Sequence, residues 1–204
     1  MKNKINIAVL VSGGGTNLQA LIDAQKSGII KSGEIKLVIS SNALAYALKR
    51  AEDNNIPTAV VTKKEYGNMA KMEEKMISIL DKNHIDLIVL AGFMCICSER
   101  FTKKYEHRII NVHPSLIPSF CGEGFYGLKV HEAVLKKGVK VTGATVHFVN
   151  EIPDGGEIIM QKAVKVLDRD TPKSLQERVM KQAEWKILPK AVEKVSKEIM
   201  ERTK

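Results

Sequence analysis

Aromatic side chains are scarce in this chain, 5% of 204 residues with a single tryptophan, and cysteine occurs only three times. Cys95, Cys97 and Cys121 cannot all pair with one another, and a Cys-x-Cys spacing without a second cysteine or histidine pair is poor for zinc. Unligated thiols in a reducing compartment are the expectation. No apolar run approaches the roughly 18 residues of a membrane-spanning helix. The run near the amino terminus is only about seven residues long and no small-residue cleavage site follows, so it reads as a first strand rather than a secretory signal. A cytoplasmic protein without a membrane partner is expected. Arginine is sparse too, six of 32 basic residues, and no basic run is interleaved with aromatics. The net charge of +9 therefore points away from nucleic acid, toward a lysine-rich solvated surface and small anionic ligands. No G-x-S-x-G occurs, which excludes a serine nucleophile elbow. His84, His107, His131 and His147 lack the spacing of metal ligands, and no metal is expected.

What the chain does have is an alternation of two periods. Strand-length apolar runs at Ile5 to Val11, Ile35 to Ser40, Thr58 to Val61, Leu87 to Ala91 and Ile109 to His113 alternate with helical patterns. Those patterns fall near Asn17 to Lys26, Ala45 to Asn54, Asn68 to Lys82 and Glu99 to Tyr105. Such alternation predicts an α/β fold, a doubly wound, mostly parallel sheet of Rossmann-like kind, in one compact unit. The pattern then changes. A glycine-rich loop, Cys121 to Gly127, leads to a helix near Leu128 to Lys137 and two strand-like stretches, Val141 to Val149 and Glu157 to Val166. The connection EIPDGG between those stretches suits an antiparallel hairpin. A last helix is expected from Thr171 as cap and Pro172 at its first position, with Pro189 kinking or ending it.

Ligands of open α/β sheets sit beyond the carboxyl ends of the parallel strands. Three segments meet that condition: SGGGTN after the first strand, GFMCIC after the fourth, and the end of INVHP. In SGGGTNLQAL the glycines let the backbone approach a ligand, and the helix start attracts a phosphate. Leu18 stands where a dinucleotide fingerprint has its third glycine, and the loop lacks the lysine of a nucleotide-hydrolase phosphate loop, so a monophosphate is favoured. In NVHPS, strand alternation puts Asn111 and His113 on one face. An amide donor beside an imidazole could stabilise a developing oxyanion and move a proton, which suits attack on an acyl or formyl carbon. A carboxylate near His113 would raise its pKa, and Asp154 in EIPDGG is a candidate, although an Asp-Gly pair also serves simply as a turn. His147 is the one further histidine that strand alternation could turn toward this cleft.

Taken in order, SGGGTNLQAL, DLIVLAGFM, NVHPSLIPSF and GATVHFVNEIPDGG resemble the phosphoribosylglycinamide formyltransferases, a folate-dependent family of purine synthesis and one-carbon metabolism. The resemblance implies transfer of a formyl group from 10-formyltetrahydrofolate to the amine of glycinamide ribonucleotide, without metal or covalent enzyme intermediate. It implies His113 as general acid, Asn111 as holder of the formyl oxygen, and Asp154 as the group that raises the His113 pKa. Gly15, Thr16, Asn17 and Glu184 match the ribonucleotide side, Glu184 beside one extra residue. Met94, Cys95, Ile96 and Cys97 match the folate-binding stretch, where backbone groups would bond the pterin. Asn150, Glu151, Ile152, Pro153 and Asp154 match a second folate-side loop, and Asn111 also faces the folate. A single domain over residues 1–204 follows, with a phosphate-binding half to about residue 100 and a catalytic, folate-binding half beyond it, as monomer or homodimer.

Two departures stand out. The family commonly has arginine where Cys95 stands and a second substrate-contacting arginine at the place of Met69, so nearby lysines such as Lys63 or Lys64 would have to supply the charge. The loop FCGEGFYGLKVHE also differs from a shorter, proline-containing form. Formyltetrahydrofolate hydrolases share the Asn, His and Asp but typically add an amino-terminal regulatory domain. Methionyl-tRNA formyltransferases normally add a carboxyl-terminal β domain. Transfer to the small ribonucleotide is the expectation, with a binding protein that has lost turnover as the rival from another class.

Overall fold

The computed structural model describes residues 4–202. Strand β1 (Ile5–Val11) is apolar apart from Asn6 because both its faces are covered: Ile7, Val9 and Val11 join one buried cluster, and Ala8 and Leu10 join another. A strand buried on both faces shows no alternation. After it come α1 (Thr16–Lys26), β2 (Gly33–Ser40), α2 (Tyr46–Glu52), β3 (Thr58–Val60), α3 (Lys63–Tyr66), α4 (Met69–Lys82), β4 (Leu87–Leu90) and α5 (Glu99–Lys104). Next are β5 (Ile109–His113), α6 (Leu128–Lys137), β6 (Val141–Phe148), β7 (Ile158–Lys165) and α7 (Pro172–Val179). A π-helical turn (Met180–Glu184) leads into α8 (Trp185–Arg202).

The seven strands form one sheet in the order β3-β2-β1-β4-β5-β6-β7, parallel as far as β5 and antiparallel for β6 and β7. This is the expected doubly wound fold with an antiparallel extension. The two cores lie on opposite faces. One is covered by α1, α7 and α8 through residues such as Leu18, Leu21, Leu175, Leu188 and Val192. The other is covered by α4 and α5 through Met72, Met76, Leu80 and Phe101. In α4 the buried residues Met72, Met76 and Leu80 recur every four positions, the spacing of one helical stripe, each burial contributing about 1.5–3 kcal/mol.

Two expectations need correction. The last helix does not end at Pro189: it runs on to Arg202, with Pro189 buried in the core. The irregularity in hydrogen bonding falls earlier, in the π turn, so the residue four before Pro189 is Trp185, the first of α8. The missing N–H thus costs one bond at the junction rather than a bond inside an established helix. The short helix α3 was not expected. Thr62 accepts the Glu65 amide as its cap, the start signal Thr-x-x-Glu. The cap at Thr171 is as expected, with a reciprocal Thr171–Ser174 box and Pro172 at the first turn.

Chain order reverses between β1 and β4, since the chain leaves β1 toward β2 and returns on the other side. The crevice at such a reversal is where open α/β sheets bind ligands. The loops after β1 and β4 both lie there, and Ser12 joins them: its hydroxyl accepts the Met94 amide at 2.9 Å and lies 2.6 Å from the Ser41 hydroxyl.

Candidate active site

Leu90, the last residue of β4, pairs with Asn111, so β5 carries Asn111 and His113 up to and past the end of its neighbour. Both side chains enter one cleft of about 630 Å3, also lined by Met94, Cys95, Ile96 and Cys97, by Asn150, Ile152, Pro153 and Asp154, and by Gly122 to Gly127. Of the residues expected on the folate side, Glu151 alone is not part of this lining. Met94, Ile96 and Ile152 stay more than half exposed, an apolar rim suited to a flat ring system.

His113 is 4% exposed. Its Nε2 lies 2.8 Å from the Phe120 carbonyl, which can only accept, so Nε2 carries a hydrogen. Its Nδ1 faces Asp154 Oδ2 at 3.4 Å. Asp154 Oδ2 also accepts the Gly122 amide at 2.9 Å, and Asn111 Nδ2 lies 3.5 Å from Asp154 Oδ1. Asp154 and Phe120 both have left-handed backbones, at φ 56° and 52°. An aspartate tolerates that conformation; for a phenylalanine it is strained, and the strain sits where the carbonyl holds the imidazole.

Burial works against the charged form of Asp154, but the contacts from His147, His113 and the Gly122 amide outweigh it and hold the carboxyl below its ordinary pKa. For His113 the balance differs from the expectation. Burial pushes the imidazole down, Asp154 and the Phe120 carbonyl pull it up, and burial wins, leaving the pKa below its ordinary value. The upward pull of Asp154 is present, but in this dry cleft it does not set the net result.

On the glycine-turn side, Gly15 caps α1 at φ 71°, and a Cβ there would lie 2.6 Å from Ala47 Cβ, so only glycine fits. Gly14 is held by Arg50, whose Nε donates to its carbonyl at 2.8 Å. Asn17 donates to Glu184 at 2.7 Å with both side chains buried, and Asn17 Oδ1 has no partner. Burial pushes the Glu184 carboxyl up to about 7 against the pull of Asn17. Glu184 makes this pairing from the end of the π turn, which holds one residue more than an α turn. Thr16 donates to Met180 Sδ at 3.7 Å and lines a second cavity, of about 570 Å3, between α1 and α8.

A family model described as formyl transferase matches residues 5–192. The chain belongs to the formyl transferase family. It is 42% identical over 90% of its length to phosphoribosylglycinamide formyltransferase of Haemophilus influenzae, covering 83% of that protein. It is 46% identical over 95% of its length to the trifunctional purine biosynthetic protein adenosine-3 of Gallus gallus, of which it spans 19%. Among solved structures, glycinamide ribonucleotide transformylase 1 from Symbiobacterium toebii superposes with a TM-score of 0.90 at 36% identity, over 97% of this chain and 90% of that one.

One contact of this cleft was not legible in the sequence. The Phe120 carbonyl that fixes His113 is a backbone group and leaves no side-chain signal. The Gly122 amide does have one: a glycine-rich loop directly after NVHP. Ser12 had a signal as well, lying first in the turn that follows β1. His147 enters the cleft lining as strand alternation allowed. Cys95 is pushed up by burial, opposed by its hydrogen bond to Ser41 and by the charge of Lys63, so a lysine stands near Cys95. Among the described residues no helix is long and apolar enough to cross a membrane.

Proposed function

We propose that this chain transfers a formyl group from 10-formyltetrahydrofolate to the amine of glycinamide ribonucleotide. The observation that carries the reading is the convergence of Asn111, His113 and Asp154 in one cleft whose walls are the two segments matching the family's folate side. Its volume and apolar rim suit a reduced pterin and its aromatic extension.

In the reaction the amine nitrogen bonds to the formyl carbon, the carbon's bond to N10 of the donor breaks, and one amine proton ends on N10. Asn111 donates to the formyl oxygen as it becomes negative. His113 rests neutral because burial holds its pKa down, with Nε2–H on Phe120 and a bare Nδ1 toward the cleft and Asp154. That bare nitrogen takes the proton made acidic by attack and returns it to the departing nitrogen, so His113 is a general acid only after it has served as base. The ionised Asp154 stabilises the imidazolium between those two steps. Gly15, Thr16, Asn17 and Glu184 hold the ribonucleotide, the phosphate at the start of α1. Lys63 supplies positive charge beside Cys95. Residues 1–204 act as one domain, with phosphate binding largely before residue 100 and catalysis after it.

The test is a spectroscopic assay of formyl loss from a 10-formylfolate, run with and without glycinamide ribonucleotide. Turnover only with the ribonucleotide is expected. Turnover without it would mark a hydrolase, and no turnover under either condition would overturn the reading.

A further inference from the structure

Beyond its contact with Asp154, His147 has no part in the steps above, yet it is 1% exposed and lies directly across the β5–β6 ladder from Asn111. Opposite residues of an antiparallel pair share a face, so its ring meets the Asn111 side chain. The β6–β7 register shifts between Val146 and His147, which places an irregularity in the ladder beside this ring.

The hydrogen on Nδ1 follows from a partner that has no choice. His147 Nδ1 lies 2.7 Å from the Phe148 carbonyl oxygen, which only accepts, so Nδ1 carries a hydrogen and the ring's one free position is Nε2, which also lies 3.5 Å from Asp154 Oδ1 and, in the Nδ1–H tautomer, is an acceptor. That acceptor is 3.2 Å from Asn111 Nδ2. The amide must therefore turn its NH2 end, not its oxygen, toward His147. Asp154 Oδ1, 3.5 Å from the same Nδ2, favours the same orientation more weakly.

We propose that His147 is a positioning residue: held in its Nδ1–H tautomer by the Phe148 carbonyl, it fixes the Asn111 amide so that one N–H is bound and the other faces the reacting oxygen. The inference rests on the function proposed above. The two ends of an amide exchange by a half-turn about its last bond, and the wrong end would set a carbonyl oxygen against a developing oxyanion. A ring fixed from the backbone removes that alternative before substrate arrives.

The test combines two variants with one measurement on the unaltered chain. His147→Leu removes the acceptor and keeps an apolar body; His147→Gln keeps an acceptor. His147→Leu is expected to lower kcat on the order of 10- to 100-fold with KM for both substrates within about twofold, and His147→Gln to recover part of the loss. Wild-type kcat in His147→Leu, or equal losses of kcat and binding in both variants, would overturn the proposal. Nitrogen-15 NMR of the histidine-labelled wild type should show His147 protonated at Nδ1 and bare at Nε2. A ring protonated at Nε2 alone overturns the lock whether or not the chain transfers formyl groups. The expected tautomer in a chain without formyl transfer supports the lock while overturning the function proposed above.

Discussion

A single imidazole between a carbonyl and a carboxylate has to carry a proton through the reaction, and the balance of forces on it decides what its removal does. His113→Ala and Asp154→Asn are expected to lower kcat by about 100-fold or more while leaving ribonucleotide binding, read by titration calorimetry, nearly unchanged, since their work is in the transition state. Glu184 offers a second residue-level outcome. Its carboxyl is raised in the fold from 4.5 to about 7. A group raised in this way stabilises the fold below its ordinary pKa and loses that contribution as pH rises through its folded value, here by up to about 3 kcal/mol between pH 4.5 and 7. Glu184→Gln should then melt about 5 °C or more higher than wild type at pH 8 and lose that advantage at pH 4.5. His131, pushed down to about 4 by burial and by the charge of His113, loses its own contribution as pH falls from 6.5 toward 4. It does so in both proteins, and the difference between their melting curves isolates Glu184.

Elements were legible where period and punctuation agree. The five parallel strands and the capped start of α7 followed from apolar runs and from Thr171-Pro172, and Asn111 and His113 could be placed on one face because β5 has a period of two. Three things were not legible. The β5–β6 register, which sets His147 against Asn111, depends on how two strands slide, and neither strand alone encodes that. The π turn leaves no mark in a helical pattern except an offset at Glu184. The pull on His113 could be read from Asp154, but the burial that outweighs it is a property of the whole cleft. The hairpin loop gives a test at this scale. A Cβ on Gly156 would lie 1.9 Å from the Phe148 carbonyl oxygen, so Gly156→Ala must displace backbone two residues from Asp154. A loss of about 2 kcal/mol or more in denaturant unfolding is expected, together with a roughly 100-fold fall in kcat.

For the whole molecule, the surplus of lysine creates a field that reaches beyond the cleft. With a net charge of +9 and substrates that carry phosphate and carboxylate groups, encounter should be electrostatically assisted. The range of that field shrinks from about 10 Å at 0.1 M salt to about 3 Å at 1 M. Steady-state kinetics across that interval should show kcat/KM falling by about threefold or more with kcat unchanged, whereas a parallel fall in both would place the salt effect on the fold rather than on encounter.

The π turn between α7 and α8 also has a consequence for inheritance. It holds one residue more than an α-helical turn, so the loss of one codon between Met180 and Glu184 would let the two helices fuse into one regular rod. Everything downstream would keep its rotation relative to α7, because the wide turn alone had absorbed the additional residue. Ile187, Leu188, Ala191, Val192 and Val195 would go on covering the sheet, and the change would fall on the turn that brings Glu184 to Asn17. An in-frame deletion of three nucleotides would thus act on the turn beside Asn17 and leave the packed face of α8 in place, so this turn is a point where the chain can shorten by one residue without repacking the sheet.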